Sequence, residues 1–390
     1  MRQTVANPMC ISDKEFGERI QRTQAAMAGA GLDAILAFSS ESEPALVRYY
    51  SDYWPSFETT AVLIPATGKP ALLIGPESLI FASARTKIPA VLQLMDFRES
   101  SQPNYPGSKL PTWADVFKQY PADRLGIAGW HMFPHAIFCN LEKAFTGKAI
   151  IDADAVVRSV MITKSKAELD CLREAARISE IGLKAILDNI RPGLTEVQVA
   201  GLATAAMLNN GAEATGYPVW CCSGPNSRQA ISRPTHRPIQ TGEIVQVCVG
   251  AKVAGYSSSI GRPLVLGSCD QTLRRFLEVG HDAEEMTIGL LRAGTPASEV
   301  AKKVHGFIKD RGYGDTILYG PAHGCGQMEC EYPFIETSST FDLAENMTFN
   351  VDIFLSNSER GFRWEDPVIV KNGEAEQLSS LGRGVNVLAV

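Results

Sequence analysis

The sequence predicts an α/β chain of two domains, residues 1–160 and 161–390, the second assembled from two αβ halves related by pseudo-twofold symmetry. Three observations predict it. A chain of 390 residues exceeds what one hydrophobic core supports, since single cores rarely grow beyond roughly 250–300 residues. Between residues 11 and 154 short apolar runs alternate with amphipathic stretches, as when strands are interleaved with helices. In the second half, Arg191-Pro192-Gly193-Leu194-Thr195-Glu196-Val197 is echoed by Arg292-Ala293-Gly294-Thr295-Pro296-Ala297-Ser298-Glu299-Val300, and an echo of this kind marks a repeated unit.

The elements follow in order. Residues 14–30 carry apolar side chains at helical spacing, and Ala34-Ile35-Leu36-Ala37-Phe38, Thr60-Ala61-Val62-Leu63-Ile64 and Ala71-Leu72-Leu73-Ile74 are short apolar runs of strand length. Residues 164–187 predict a long helix that opens the second domain, with Leu169, Leu172, Ala176, Ile178, Ile181 and Leu183 near helical spacing. Ser165 and Glu168 have the spacing of a capping box. In each copy of the repeat a helix is expected to end at glycine, Gly193 or Gly294, and the next to begin at a Ser or Thr N-cap.

Composition narrows the function classes. Net charge −6 and a pI near 5.7 lack the basic excess of a nucleic-acid surface, so small-molecule chemistry is expected. No run is long and apolar enough to span a bilayer, and the first 18 residues lack the pattern of an export signal. A cytoplasmic protein with no membrane partner is the expectation. Nine Cys without repeating spacing read as free thiols.

Candidate chemistry concentrates in three strand-like segments near the C-terminus: Ala322-His323-Gly324-Cys325-Gly326 through Cys330-Glu331, then Asp352, then Arg363-Trp364-Glu365-Asp366. One imidazole and several carboxylates spread over separate strands are what a fold needs to assemble a polar pocket. This constellation, with the two-domain plan and the repeat, resembles the creatinase, prolidase and aminopeptidase P family over essentially the whole chain. The resemblance implies a creatinase-like N-terminal domain followed by a pita-bread domain, and hydrolysis of C–N bonds.

Metal-dependent members of that family hold two divalent ions on five residues. Matched onto this sequence, the five positions are Cys248, Ser259, His323, Asp352 and Glu365. The first two are Asp in the family. Two hard cations about 3.5–4 Å apart need carboxylates to offset their repulsion, so a dinuclear centre is not expected. The chain is expected to carry no cofactor, or at most one divalent ion on His323, Asp352 and Glu365. The metal-free creatinase pattern is also incomplete. Its catalytic His falls on Ile231, with His236 five residues later, an offset that on a strand would point to the opposite face and that only a reshaped loop would recover, and its Phe-x-Arg becomes Phe57-Glu58-Thr59.

The expected activity is therefore metal-independent or atypically mononuclear hydrolysis of a C–N bond in a small non-peptide molecule. Alternatives are a lyase on the same scaffold, a peptidase-like protein with a degraded metal site, and a non-catalytic binding protein. His323 is the expected acid or base, with Glu365 or Asp352 fixing its tautomer. Phe57, Cys222, Cys248, Ser259, Cys330, Glu331 and Arg363 are the expected substrate-binding residues, and the resemblance puts Arg262 at the pocket edge, with a structural ion pair to a carboxylate as the equal alternative for Arg262 and Arg363. A thiolate at Cys248, Cys325 or Cys330 is the competing nucleophile. A homodimer is expected, the aromatic segment 49–57 of one chain walling the pocket of the other.

Overall fold

The computed structural model describes residues 9–389. One unit spans Ile11–Met161 and the other begins at Ile162.

The N-terminal unit is built on a six-stranded mixed sheet. Its strands run in the order Ala90–Gln93, Ala71–Ile74, Thr60–Pro65, Ala34–Ser39, Arg124–Ala128 and Ala149–Asp152. Side chains on a strand alternate between faces, and the central strands are apolar on both. Ile35, Ala37, Val62 and Ile64 pack in one core with Ile20 and Met27 of helix Asp13–Ala30. Ala34, Leu36, Phe38 and Leu63 pack in another with Trp113 and Leu141. This double burial is why these strands read as continuous apolar runs.

The aromatic segment is largely internal, a correction to the wall expected from sequence. Tyr49, Tyr50 and Tyr53 are buried in the first of these cores. Arg19 lies over the Tyr49 ring, and the Tyr50 hydroxyl bonds Thr23. Only Phe57, at 79% exposure, stands fully clear.

The C-terminal unit carries a nine-stranded sheet whose main path runs Glu331–Ile335, Ala322–Gly324, Thr348–Ser356, Gly361–Ile369, Ile260–Leu266, Ile244–Val249 and Trp220–Ser223. Two helix pairs cover one face. Lys166–Asn189 and Glu196–Asn209 pack on Val245, Val247 and Val249, while Gln271–Leu290 and Ala297–Asp310 pack on Phe349, Val351, Ile353, Phe362 and Trp364. Alternation then dictates that Gln246, Cys248, Asn350, Asp352, Arg363 and Glu365 project to the opposite face. The site is on that face because the helices took the other.

The repeat is visible in matched backbone bonds. Gly193 N–H donates to Ile239 O at 2.9 Å and Ile239 N–H to Leu194 O at 2.9 Å. In the second copy Gly294 N–H donates to Leu343 O at 2.7 Å and Leu343 N–H to Thr295 O at 2.9 Å. Gly193 and Gly294 have φ of 90° and 86°, a conformation that favours glycine. They are turn residues, not the helix C-caps expected, because the preceding helices end at Asn189 and Leu290. The capping boxes at Ser165 and Thr195 are both formed. The second copy departs, with Pro296 at the N-cap and no side-chain cap.

Candidate active site

Backbone pairing lays the site out as a row. Trp220 pairs with Cys248, Cys248 with Gly261, Gly261 with Glu365, and Glu365 with Asp352, across five adjacent strands. Directly paired residues project to the same face. His323 pairs with Asn350, two residues from Asp352, and so joins the same face. The middle of the row must be small: a Cβ at Gly261 would lie 2.9 Å from the Glu365 Cβ and 3.0 Å from the Arg363 Cγ.

Arg363 dominates the electrostatics. Its Nε donates to Asp352 at 2.8 Å, and its Nη2 to Tyr319 Oη at 2.7 Å and Ala230 O at 3.0 Å. The guanidinium also lies over the rings of Trp220 and Phe354. Tyr319 Oη donates to the other Asp352 oxygen at 2.7 Å. Asp352 is thus held on both oxygens, so that removing Arg363 would leave a buried carboxylate without its counter-charge.

His323 faces three carboxylates. Its Nδ1 lies 3.1 Å from Gly324 O, and a carbonyl offers only lone pairs, so Nδ1 carries a proton. Its Nε2 then points at Glu329 at 3.6 Å, Glu365 at 3.9 Å and Asp352 at 4.0 Å. Burial disfavours the imidazolium. Hydrogen bonding with Cys330 and the charges of Glu329 and Asp352 outweigh it and hold the His323 pKa well above its ordinary value. Glu365 is pushed the same way, first by burial and then by Asp352 and Glu329. The carboxylates around it favour a positive charge at His323 Nε2.

The thiols are corrected in turn. Burial raises Cys248 well above an ordinary thiol, with Arg363 opposing, and raises Cys325 also, so neither is a ready thiolate. Cys222 is pushed up to about 11, mainly by burial. Cys330 is exposed beside His323. Ser259 shares a hydrogen bond with Tyr217 at 2.7 Å. Glu331 pairs with Lys164 at 2.8 Å and, 3.4 Å from the Met328 amide, braces the turn between Gly326 and Glu331. Phe57 belongs to the N-terminal unit. Of the two readings of Arg262 the structural ion pair is the one formed: it lies on the helix-covered face, away from the pocket edge, paired with Asp366 at 2.6 Å. The segment around Ile231 and His236 is a loop, and both side chains are exposed.

Three residues of the site escaped the sequence reading. Glu329 is the carboxylate nearest His323 Nε2, and its own oxygen and carbonyl accept from Asn350 Nδ2 at 3.1 and 3.0 Å. Tyr319 and Tyr217 close the pocket around Asp352 and Ser259. Asn350, a polar residue between apolar Phe349 and Val351, signals a polar neighbour on the site face, but that this neighbour is Glu329 is seen only in the contact. Tyr217 and Tyr319 lie in irregular segments and gave no signal.

These residues do not fit a pair of divalent ions. Cys248 is a neutral thiol and Ser259 a bonded hydroxyl, Asp352 is occupied on both oxygens, and the Arg363 guanidinium already supplies a cation among them.

Comparison with known proteins agrees with this architecture. Residues 19–160 match the creatinase/prolidase N-terminal domain, and residues 170–372 match metallopeptidase family M24. The chain is 25% identical to a Xaa-Pro dipeptidase of Pyrococcus furiosus over 321 residues, 82% of this chain and 89% of that protein. It is 24% identical to a creatinase of Bacillus sp. over 339 residues, 83% of this chain and 77% of that one. The solved prolidase of Thermococcus sibiricus superposes with a TM-score of 0.84 at 22% identity, covering 96% of this chain and 99% of its own. With a creatinase-type unit ahead of a pita-bread unit whose site face is set by the sheet register, the chain belongs to metallopeptidase family M24.

Proposed function

We propose that the chain hydrolyses a C–N bond in a small non-peptide molecule without the pair of divalent ions that the family resemblance implies. Hydrolysis of C–N bonds is the coarse reading that the family supports, Xaa-Pro dipeptidases and a creatinase being among the relatives. The finer reading rests on one observation: the two lost Asp positions carry neutral groups while Arg363 locks Asp352. What the cluster offers a substrate is one positive charge at His323 Nε2 beside carboxylates able to take a proton from water. The water oxygen bonds to the carbon, the C–N bond breaks, and the nitrogen leaves with a proton.

The test is release of ammonia or amine from a panel of amides, ureas, amidines and guanidino compounds, run beside Xaa-Pro dipeptides with Mn²⁺, Co²⁺ or Zn²⁺ supplied. Turnover of a non-peptide compound with dipeptides at background is expected. Efficient dipeptide cleavage under any of these ions would reject the proposal. A homodimer is part of this reading, supported by exposed Phe57 and by Ile80 at 86% exposure. Light scattering at micromolar concentration is expected to give twice the chain mass, and a monomer would remove the dimer.

A further inference from the structure

We infer that Gln246 is a substrate-binding residue of this site, and that it selects a neutral carbonyl next to an N–H, as in amides and ureides, over cationic amidines and guanidines. It stands on strand Ile244–Val249 two residues before Cys248 and pairs with Cys222 on one side and Pro263 on the other, which puts all three on the site face. Its side chain is fully buried, and neither Oε1 nor Nε2 has a hydrogen-bond partner among the described residues. A buried amide left unsatisfied costs stability at both ends. A Leu or Met side chain would fill the same place without that cost, so the carboxamide suits a partner from outside the chain.

The span 229–234 covers this part of the face, and its attachment lets it lift. The neck of the loop is closed on one buried carboxylate. Glu196 accepts from the Ser223 amide and hydroxyl at 2.7 and 2.8 Å, and from the Thr235 amide and hydroxyl at 2.9 and 2.7 Å. Arg228 Nε adds an anchor to Asn357 O at 3.0 Å. Beyond it the span is tied to the sheet through Ala230 O, which accepts from Arg363 Nη2 at 3.0 Å, and through Ser232, which hydrogen-bonds the Cys222 thiol. The apolar tip Ile231 is 86% exposed and plugs nothing. Releasing those two bonds uncovers Gln246 while the neck stays closed.

The surroundings choose the ligand. Burial keeps Cys222 and Cys248 as neutral thiols, and the charge of Arg363 is felt at both. A guanidinium or amidinium offers donors only, so it would engage Oε1, leave Nε2 unpaired and meet the like charge of Arg363. A carbonyl beside an N–H satisfies both ends of Gln246 in one two-bond ring and brings no charge. Sites built to hydrogen-bond a polar group reject analogues that leave the site's own groups unpaired.

The inference rests on the proposed function only in taking this face as the place where a C–N compound binds, and its test reads binding and stability, not turnover. Benzylurea and benzylguanidine match in shape and differ in a carbonyl against a cation. Each is titrated into full-length protein by calorimetry at millimolar concentration, and the wild type is expected to bind the urea at least about tenfold more tightly. Gln246→Met should lose that preference yet melt at or above the wild-type temperature, because an unpaired buried amide is gone. Gln246→Glu, which keeps the shape and exchanges the donor for an acid, should shift preference toward the guanidine. Tighter binding of the guanidine by the wild type, binding of neither probe, an unchanged preference in either variant, or a lower melting temperature in Gln246→Met would each overturn the inference. Urea preference with no hydrolysis of any compound in the panel would leave it standing and remove the proposed function. Hydrolysis of a guanidino compound with no urea preference would do the opposite.

Discussion

Replacing His323 with Asn is expected to lower turnover by about 10²- to 10⁴-fold while leaving the fold intact. The Asn amide reaches as far as Nδ1 and keeps the donor to Gly324 O, so the local strand has no reason to rearrange. What it removes is Nε2, the nitrogen that faces Glu329, Glu365 and Asp352 together. Asn can neither carry a proton there nor hold an ion. The measurement is kcat and kcat/KM on whichever C–N substrate the wild type hydrolyses, with circular dichroism as the folding control. Near-normal turnover in His323→Asn, together with its loss in Cys330→Ser, would transfer the chemistry to the exposed thiol.

Arg363→Met is expected to produce the largest loss of stability at the site, about 3–5 kcal/mol, because it leaves Asp352 buried beside two other carboxylates with only Tyr319 as a donor. Met keeps the apolar length of the stem, so packing against Trp220 and Phe354 is largely retained and the loss reports the charge. Thermal unfolding should fall by roughly 10 °C in the transition of the C-terminal unit, at about 2–4 °C per kcal/mol for 150–250 residues. Arg363→Lys should lie between, since Lys keeps the charge but cannot serve Asp352, Tyr319 and Ala230 at once. A melting temperature for Arg363→Met within 2 °C of wild type, well under the shift that loss implies, would mean that the Arg363–Asp352 pair does not hold the unit together.

What the sequence disclosed and what it hid divide along one physical line. Side chains on regular strands obey an alternation with period two, so Asp352, Arg363 and Glu365 could be placed on one face from spacing and their distance from apolar neighbours. The same rule puts Arg262 on the other face, since its neighbour Gly261 pairs with Glu365, and the family pattern obscured that simpler inference. The Ser165 capping box and the Thr195 N-cap were legible because a capping residue and the group it serves lie within three residues of each other. Glu329 was not legible. It lies in the turn between two strands, where no period says which way a side chain points, and its role depends on contacts with His323 and Asn350. The aromatic segment misled for a related reason: density of rings marks a core or a surface equally well, and Tyr49, Tyr50 and Tyr53 are core.

The row of Trp220, Cys248, Gly261, Glu365 and Asp352 is positioned by main-chain ladders that involve no side-chain chemistry at all. Its seats therefore persist whatever occupies them. An Asp exchanged for Cys at 248 alters charge and ligand capacity while every neighbouring backbone atom keeps its address. A lineage with such a frame can lose one catalyst and acquire another by single replacements, without passing through an unfolded intermediate form. The same independence makes this protein a tractable host for redesign: substitutions along the row should retune the pocket one seat at a time, provided that 261 stays glycine and leaves the Arg363 stem its passage.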